Sequence, residues 1–212
     1  MRPPESWRTA RATLAIAAAT ALAFLLVETV GMQPSAQTWG GFLPYRFGFD
    51  GYGPGAPIWL TPLTATLVHG GWFHLIMNVA ILLFCGRAVE GVLGPVALAV
   101  LYVLGAYGAA AGHFAMDPHS LSPMVGASGA ISAVLGAYAM LFGRNKVKVR
   151  SATLALWLNA LWLIAGWIAL QLLIGIITMR TDINIAIGAH IGGFLIGIAL
   201  ARPLLLFRYR KA

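Results

Sequence analysis

Six long runs of apolar residues, separated by short segments that carry most of the charges, constrain this chain more than any other feature. Several of these runs reach the roughly 20 residues that an α-helix needs to cross a bilayer. Because backbone N–H and C=O groups find no water inside a bilayer, such an unbroken run folds as a helix. Charged residues make up 9% of the chain, against about 25% in soluble domains. The sequence therefore predicts an all-α polytopic membrane protein whose main solvent is the lipid bilayer.

The apolar runs predict a six-helix bundle that forms one membrane domain over residues 1–212. The segment 32–72 interleaves aromatic residues with Gly and Pro, which suits a long loop at the headgroup level better than a span. The start of the fourth helix stays open. Ser122-Pro123 is a suitable cap and first turn, whereas a start at Ser128 leaves about 22 Å of helix against a core of ~30 Å. The predicted helices cover about 9–30, 73–89, 95–116, 126–142, 152–179 and 185–207.

The basic residues predict how the bundle is oriented. Six spans place both termini on the same side, and that side then holds 12 of the 14 Lys and Arg residues, which the positive-inside rule assigns to the cytoplasm. We expect a multi-pass protein of the plasma (inner) membrane with both termini in the cytoplasm. We expect no nucleic-acid partner, because no basic face is interleaved with stacking aromatic residues. The 12 residues are Arg2, Arg8, Arg11, Arg87, Arg144, Lys146, Lys148, Arg150, Arg202, Arg208, Arg210 and Lys211, which leaves Arg46 and Arg180 outside.

Four polar residues are predicted to meet near the outer face of the membrane. His74 and Asn78 lie in the first turns of the second helix, and Ser128 and His190 lie near the starts of the fourth and sixth helices. In the predicted topology all three helices start on the outer side. Polar groups at that depth are costly unless they pair or serve a function, so we expect these four to form one site.

Ser128 and His190 have the chemistry of a nucleophile and its base. A serine hydroxyl attacks a carbonyl effectively only when a neighbouring imidazole takes its proton. The oxyanion that develops then needs hydrogen-bond donors. The Asn78 amide, the His74 imidazole and the Ser128 backbone N–H are available for this. No acid occupies a recognisable third position, so the sequence favours a dyad.

Small residues should let the fourth and sixth helices approach closely at this site. Gly193 and Gly197 form a G-x-x-x-G pair in the sixth helix, and Gly126 and Gly129 flank Ser128. His190 precedes Gly193 by three residues and shares its face of the helix. The packing seam and the proposed catalytic pair are therefore predicted to coincide.

In combination, these segments resemble the motifs of rhomboid intramembrane serine proteases of the bacterial, six-helix type. The resemblance extends from about residue 59 to about residue 200. The segments that carry it are His74-x-x-x-Asn78, Gly86-Arg-Ala-Val-Glu90 with Gly94, Gly126-Ala127-Ser128-Gly129, and Ala189-His190-Ile191-Gly192-Gly193 with Gly197.

The resemblance implies that Ser128 is the nucleophile and His190 the general base, with Asn78, His74 and the Ser128 backbone N–H as the oxyanion hole. It implies hydrolysis of peptide bonds in or near transmembrane segments of membrane-protein substrates, with no metal and no cofactor, at a site toward the extracytoplasmic side. It further implies that the first loop embeds in the outer leaflet and that the fifth helix, with the loop that follows it, gates substrate entry. The chain carries Trp59-Leu60 where many members have Trp-Arg, which bears on how this loop is anchored.

Other functions suit the sequence less well. A metal-dependent membrane protease would need H-E-x-x-H on a helix, and a soluble-type serine hydrolase would need a strand before its nucleophile. A non-catalytic rhomboid-like chaperone or a transporter-like protein is the remaining alternative, although no internal repeat of interrupted helices is visible. His69 is expected to be an interfacial loop histidine, and the polar residues Asn159 and Gln171 of the fifth helix receive no role.

Overall fold

The computed structural model describes residues 7, 10–47, 55–143, 149, 151–178 and 185–210. Within these ranges the regular structure is helical, and the one β-type pairing is an antiparallel bridge between Phe42 and Met124. The prediction of an all-helical, multi-pass membrane protein is confirmed. Five helices are long and apolar enough to cross a membrane, and a sixth apolar helix, Ser128–Phe142, is shorter. The five are Arg11–Thr29, Trp72–Leu93, Pro95–Met116, Ala152–Ile177 and Ile187–Arg208.

The helices fall into long spans and short pieces. A π-helical turn, Leu82–Gly86, joins α4 to α5, so the second span continues to Leu93, beyond the predicted end at residue 89. The first loop contains short helices that the sequence did not predict, including the 3₁₀ turns Pro44–Phe47 and Ala65–Leu67. In chain order the α-helices are α1 (Arg11–Thr29), α2 (Gln33–Gly40), α3 (Thr61–Thr64), α4 (Trp72–Ile81), α5 (Arg87–Leu93), α6 (Pro95–Met116), α7 (Ser128–Phe142), α8 (Ala152–Thr178) and α9 (Ile187–Arg208).

The buried carboxylate of Glu90 caps the distant helix α1. Its two oxygens accept hydrogen bonds from the backbone N–H groups of Ala12 (2.9 Å) and Thr13 (2.8 Å) and from the Thr13 hydroxyl (2.7 Å). The first N–H groups of a helix lack intrahelical acceptors and carry partial positive charge, so a carboxylate is well placed there. Glu90 thus ties the first span to the end of the second.

Helix α7 lies at the centre of the bundle, packed mainly against α6 and α9. Glycine makes this contact close. A Cβ atom on Gly193 would collide with the backbone carbonyl of Gly129, and one on Gly197 would collide with that of Ala133. Small residues at helix contacts allow such backbone approach in membranes. By contrast, α8 makes its main contacts with α9 alone, and most of its surface is exposed.

The orientation of the bundle depends largely on segments that the structure does not describe. The basic residues of 144–150 and the loop 180–184 lie outside the described residues, as do Arg2, Arg8 and Lys211. The number of spans and the cytoplasmic location of the termini therefore stay predictions.

Candidate active site

Helix α7 begins at Ser128, not at the Ser122-Pro123 pair that the sequence left as an alternative. The backbone before it is irregular and is held inside the protein. Met124 exchanges two hydrogen bonds with Phe42 (2.8 and 2.9 Å), and the Gly126 N–H donates to the Ala65 carbonyl at 2.9 Å. Non-helical backbone at membrane depth is tolerated when it is buried in protein in this way. The first loop therefore holds the segment that presents Ser128.

The Ser128 hydroxyl oxygen lies 2.9 Å from Nε2 of His190, which is in the first turn of α9. Helices α7 and α9 thus bring the predicted nucleophile and base, 62 residues apart in sequence, into hydrogen-bond contact. Both side chains are partly exposed, so a substrate can reach them. This distance is within the range for direct proton transfer between a serine and an imidazole.

His74 lies against the glycine that precedes the nucleophile by two residues. A Cβ atom on Gly126 would lie 2.5 Å from Cε1 and 2.6 Å from Nε2 of His74, and Gly126 also has a φ of +106°, which L-residues with a side chain rarely adopt. The Gly70 N–H lies 3.4 Å from Nδ1 of His74 and can donate to it. With Nδ1 as the acceptor, the neutral ring carries its proton on Nε2, the nitrogen that faces the Ser128 loop.

Asn78 lies one turn further along α4, on the same face as His74. Its side-chain N–H donates to the His74 carbonyl at 2.7 Å, and its buried Oδ1 has no hydrogen-bond partner among the described residues. An amide NH₂ group has two hydrogens. One remains to donate after the bond to His74 is made.

The Ser128 backbone N–H is the third predicted donor. As the first residue of α7, Ser128 has no acceptor for this N–H within its own helix. If α7 began one turn earlier, this N–H would donate to the Met124 carbonyl. That carbonyl instead accepts a hydrogen bond from the Phe42 N–H. The bridge to the first loop therefore keeps this donor available.

His69 is buried beside the site, whereas the sequence favoured an interfacial position. Its side chain is 1% exposed, its ring centroid lies 5.0 Å from that of His74, and its Nε2 faces the Ala127 N–H at 3.5 Å. Burial, assisted by the nearby His74, lowers the pKa of His69 to about 4. A neutral His69 thus supports the backbone immediately before Ser128.

Arg46 anchors the first loop, a role that the sequence did not predict. The charge pattern predicted only that Arg46 lies outside the membrane. Its side chain is buried, and Nη1 donates a hydrogen bond to the Ala56 carbonyl at 3.1 Å. The Trp59 side chain is exposed, but its carbonyl accepts a hydrogen bond from the Tyr107 hydroxyl at 3.0 Å. The first loop is therefore held by several hydrogen bonds, although the chain has Trp59-Leu60 in place of Trp-Arg.

Gln171 is the site neighbour that sequence reasoning missed. Its Oε1 lies 2.9 Å from Nδ1 of His190, and its side chain is buried. One turn earlier on α8, the indole N–H of Trp167 donates to the His190 carbonyl at 3.2 Å. The available signal was a rare polar side chain within an apolar span, which marks functional positions in membranes. In the described part of the chain, no group of three or more His, Cys, Asp or Glu side chains could hold a metal.

Comparisons with known proteins show which family the chain is similar to. The family model of the Rhomboid domain matches residues 57–207. The chain is 31% identical to RHOMBOID-like protein 6, mitochondrial, of Arabidopsis thaliana over 68% of its own length and 43% of that protein. It is 34% identical to RHOMBOID-like protein 5 of the same plant over 66% and 42% of the two lengths.

A bacterial relative matches over a larger share of the chain. The chain is 30% identical to rhomboid protease GlpG of Enterobacter sp. (strain 638) over 89% of its own length and 61% of that protein. The chain thus spans between two fifths and two thirds of the length of these three relatives. A family match over residues 57–207 covers more than half of the chain, and the chain therefore belongs to the rhomboid family.

Proposed function

We propose that this protein is an intramembrane serine endopeptidase that hydrolyses peptide bonds in or near the transmembrane segments of membrane-protein substrates. The observation that carries the proposal is the 2.9 Å distance between the Ser128 hydroxyl and Nε2 of His190. Membership of the rhomboid family and the similarity to a protein named as a rhomboid protease support it. Neither a metal nor a cofactor takes part in the proposed reaction.

The residues supply each step of acyl transfer. His190 Nε2 takes the proton of Ser128 as its oxygen attacks the scissile carbonyl, and the imidazolium then gives that proton to the leaving amine. Water, activated by the same imidazole, hydrolyses the acyl-enzyme and restores the serine. The Ser128 N–H, the free Asn78 amide hydrogen and the His74 Nε2–H are the proposed donors to the oxyanion.

The arrangement in the membrane is part of the proposal. We infer a single domain over residues 1–212 with six spans, both termini in the cytoplasm, and the active site toward the extracytoplasmic side of the plasma (inner) membrane. The distribution of Lys and Arg in the sequence supports this orientation. Entry of substrate past α8, the most weakly packed span, is consistent with its exposed surface.

The proposal is tested with a reporter transmembrane substrate in proteoliposomes. Ser128→Ala and His190→Ala should each abolish cleavage while the detergent-purified variants keep the thermal stability and elution profile of the parent protein. Cleavage that survives Ser128→Ala would reject the proposal. A chaperone-like relative would bind the reporter without cutting it, and neither substitution would change the amount bound.

A further inference from the structure

Gln171 contacts the one nitrogen of His190 that the proposed reaction leaves unused. Nε2 of the ring faces Ser128, and Nδ1 lies 2.9 Å from Oε1 of Gln171. The glutamine side chain is 2% exposed, although α8 exposes most of its surface. A buried amide in an apolar span is costly unless it is bonded. Its bond to His190 therefore accounts for its position.

With Oε1 of the Gln171 amide toward the ring, this bond favours one of the two neutral tautomers of His190. A neutral imidazole has one donor and one acceptor nitrogen, and the carbonyl oxygen of Gln171 can only accept. Nδ1 must then carry the hydrogen, which leaves the Nε2 lone pair to take the Ser128 proton. The opposite tautomer would place a hydrogen on Nε2 and block that transfer.

Other neighbours do not perform this task. The Ser132 hydroxyl, one turn from the nucleophile, donates to the Ser128 carbonyl at 2.8 Å. Trp167 bonds the backbone carbonyl of His190, and its ring stacks on Phe194 with centroids 4.8 Å apart. In the described part of the chain, Gln171 is thus the side chain that engages Nδ1.

Both bonds to His190 come from one face of α8, since Trp167 and Gln171 are four residues apart. The main contacts of α8 are with α9, the helix that carries His190. A movement of α8 away from α9 would therefore break the bond to Nδ1 and release the ring.

We propose that Gln171 is a positioning residue, which holds His190 in the tautomer with its proton on Nδ1 and makes the docking of α8 on α9 a requirement for an active dyad. This inference rests on the proposed function of Ser128 and His190. It assigns Gln171 no contact with the substrate.

The test compares three variants of the full chain in proteoliposomes with the reporter substrate. Gln171→Met keeps the length of the side chain and removes the acceptor, Gln171→Glu keeps an acceptor, and Asn159→Leu is the matched control. Asn159 is also buried on α8, 12 residues and about 18 Å from Gln171. For each variant, kcat, KM, the pH profile of kcat/KM and thermal stability are measured.

Gln171→Met should lower kcat by about 10- to 100-fold with little change in KM. Loss of a charged orienting partner in serine proteases costs about 10⁴-fold, and a neutral amide should contribute less. Gln171→Glu should stay within about tenfold of the parent protein. Its carboxylate stabilises the imidazolium, so the acid limb of the profile should move to higher pH. Asn159→Leu should leave kcat and the profile unchanged.

Two outcomes would overturn the inference. One is an unchanged kcat and pH profile for Gln171→Met. The other is an equal loss of kcat in Gln171→Met and Gln171→Glu that parallels a loss of thermal stability. That result would indicate that Gln171 contributes to packing alone. If Ser128→Ala abolishes cleavage in the same experiment, either outcome rejects the role of Gln171 and leaves the proposed function intact.

Discussion

Gly193 of α9 packs directly on the backbone carbonyl of Gly129 in α7, so that even a methyl group cannot be accommodated between them. Gly129 follows the proposed nucleophile by one residue, and Gly193 follows the proposed base by three. The separation of the two helices at this contact therefore determines the distance between the Ser128 hydroxyl and the His190 ring. Close packing and the proposed reactivity therefore depend on the same helix contact.

Gly193→Ala should reduce activity because the added Cβ forces α9 away from α7. A misplacement of about 1 Å can cost about 10²-fold in rate, and overpacking typically costs about 1–3 kcal/mol of stability. We expect kcat for the reporter substrate, measured below the unfolding temperature, to fall by about 10²-fold. Gly166→Ala is the matched control, since Gly166 is a helical glycine with no atom near its would-be Cβ. Equal activities for the two variants would show that the seam does not determine dyad geometry.

Asn78→Ala should lower kcat because it removes one proposed donor to the oxyanion. Loss of one such donor typically costs about 10²–10³-fold. KM should change less than kcat, because the donor acts mainly on the transition state. Asn159→Ala removes another buried asparagine and serves as the control. A change in KM alone would assign Asn78 to substrate binding instead.

Glu90→Gln should destabilise the protein without altering the active site. Hydrogen bonds to charged groups contribute about 1.5–3 kcal/mol each, and Glu90 makes three, to Ala12 and Thr13. In a titration with a denaturing detergent, Glu90→Gln should unfold at a lower detergent concentration than the parent protein. The kcat per folded molecule should be unchanged. Glu28→Gln, a change at an exposed glutamate, should shift stability by no more than about 0.5 kcal/mol. Equal stability for both variants would contradict the capping role.

His69 should make the protein less stable as the pH falls from about 6.5 to about 4. Burial lowers the folded-state pKa of His69 to about 4, whereas the unfolded value is about 6.5. In that window the unfolded chain binds a proton that the folded chain does not, so stability decreases with decreasing pH, by at most about 3 kcal/mol. His69→Gln, which keeps a neutral acceptor, should reduce the pH dependence of thermal stability measured at both pH values. The same slope in both proteins would exclude His69 as the cause.

The sequence was most informative for reactive side chains that lie near the ends of predicted helices. His74, Asn78, Ser128 and His190 lie at starts of apolar runs, and the charge pattern predicted that these starts share one side. Rare polar side chains in spans, together with family motifs, were therefore the basis for the candidate site, whose catalytic role stays a prediction. The 2.9 Å contact between Ser128 and His190 is the geometry that those positions implied.

Contacts that join distant irregular segments could not be predicted. The pairing of Phe42 with Met124, which presents Ser128, involves loop backbone with no periodic pattern. Glu90 caps a helix 77 residues earlier in the chain. For Gln171 the difficulty was different. Helix α8 is apolar on all faces, so periodicity did not indicate which face meets α9.

Reaction with a fluorophosphonate probe tests most directly whether His190 activates the Ser128 hydroxyl. The purified protein in detergent is labelled, digested and mapped by mass spectrometry. We expect a single phosphonylated residue, Ser128, with labelling absent in Ser128→Ala and strongly reduced in His190→Ala. Labelling at a different residue, or a rate that His190→Ala leaves unchanged, would contradict this expectation.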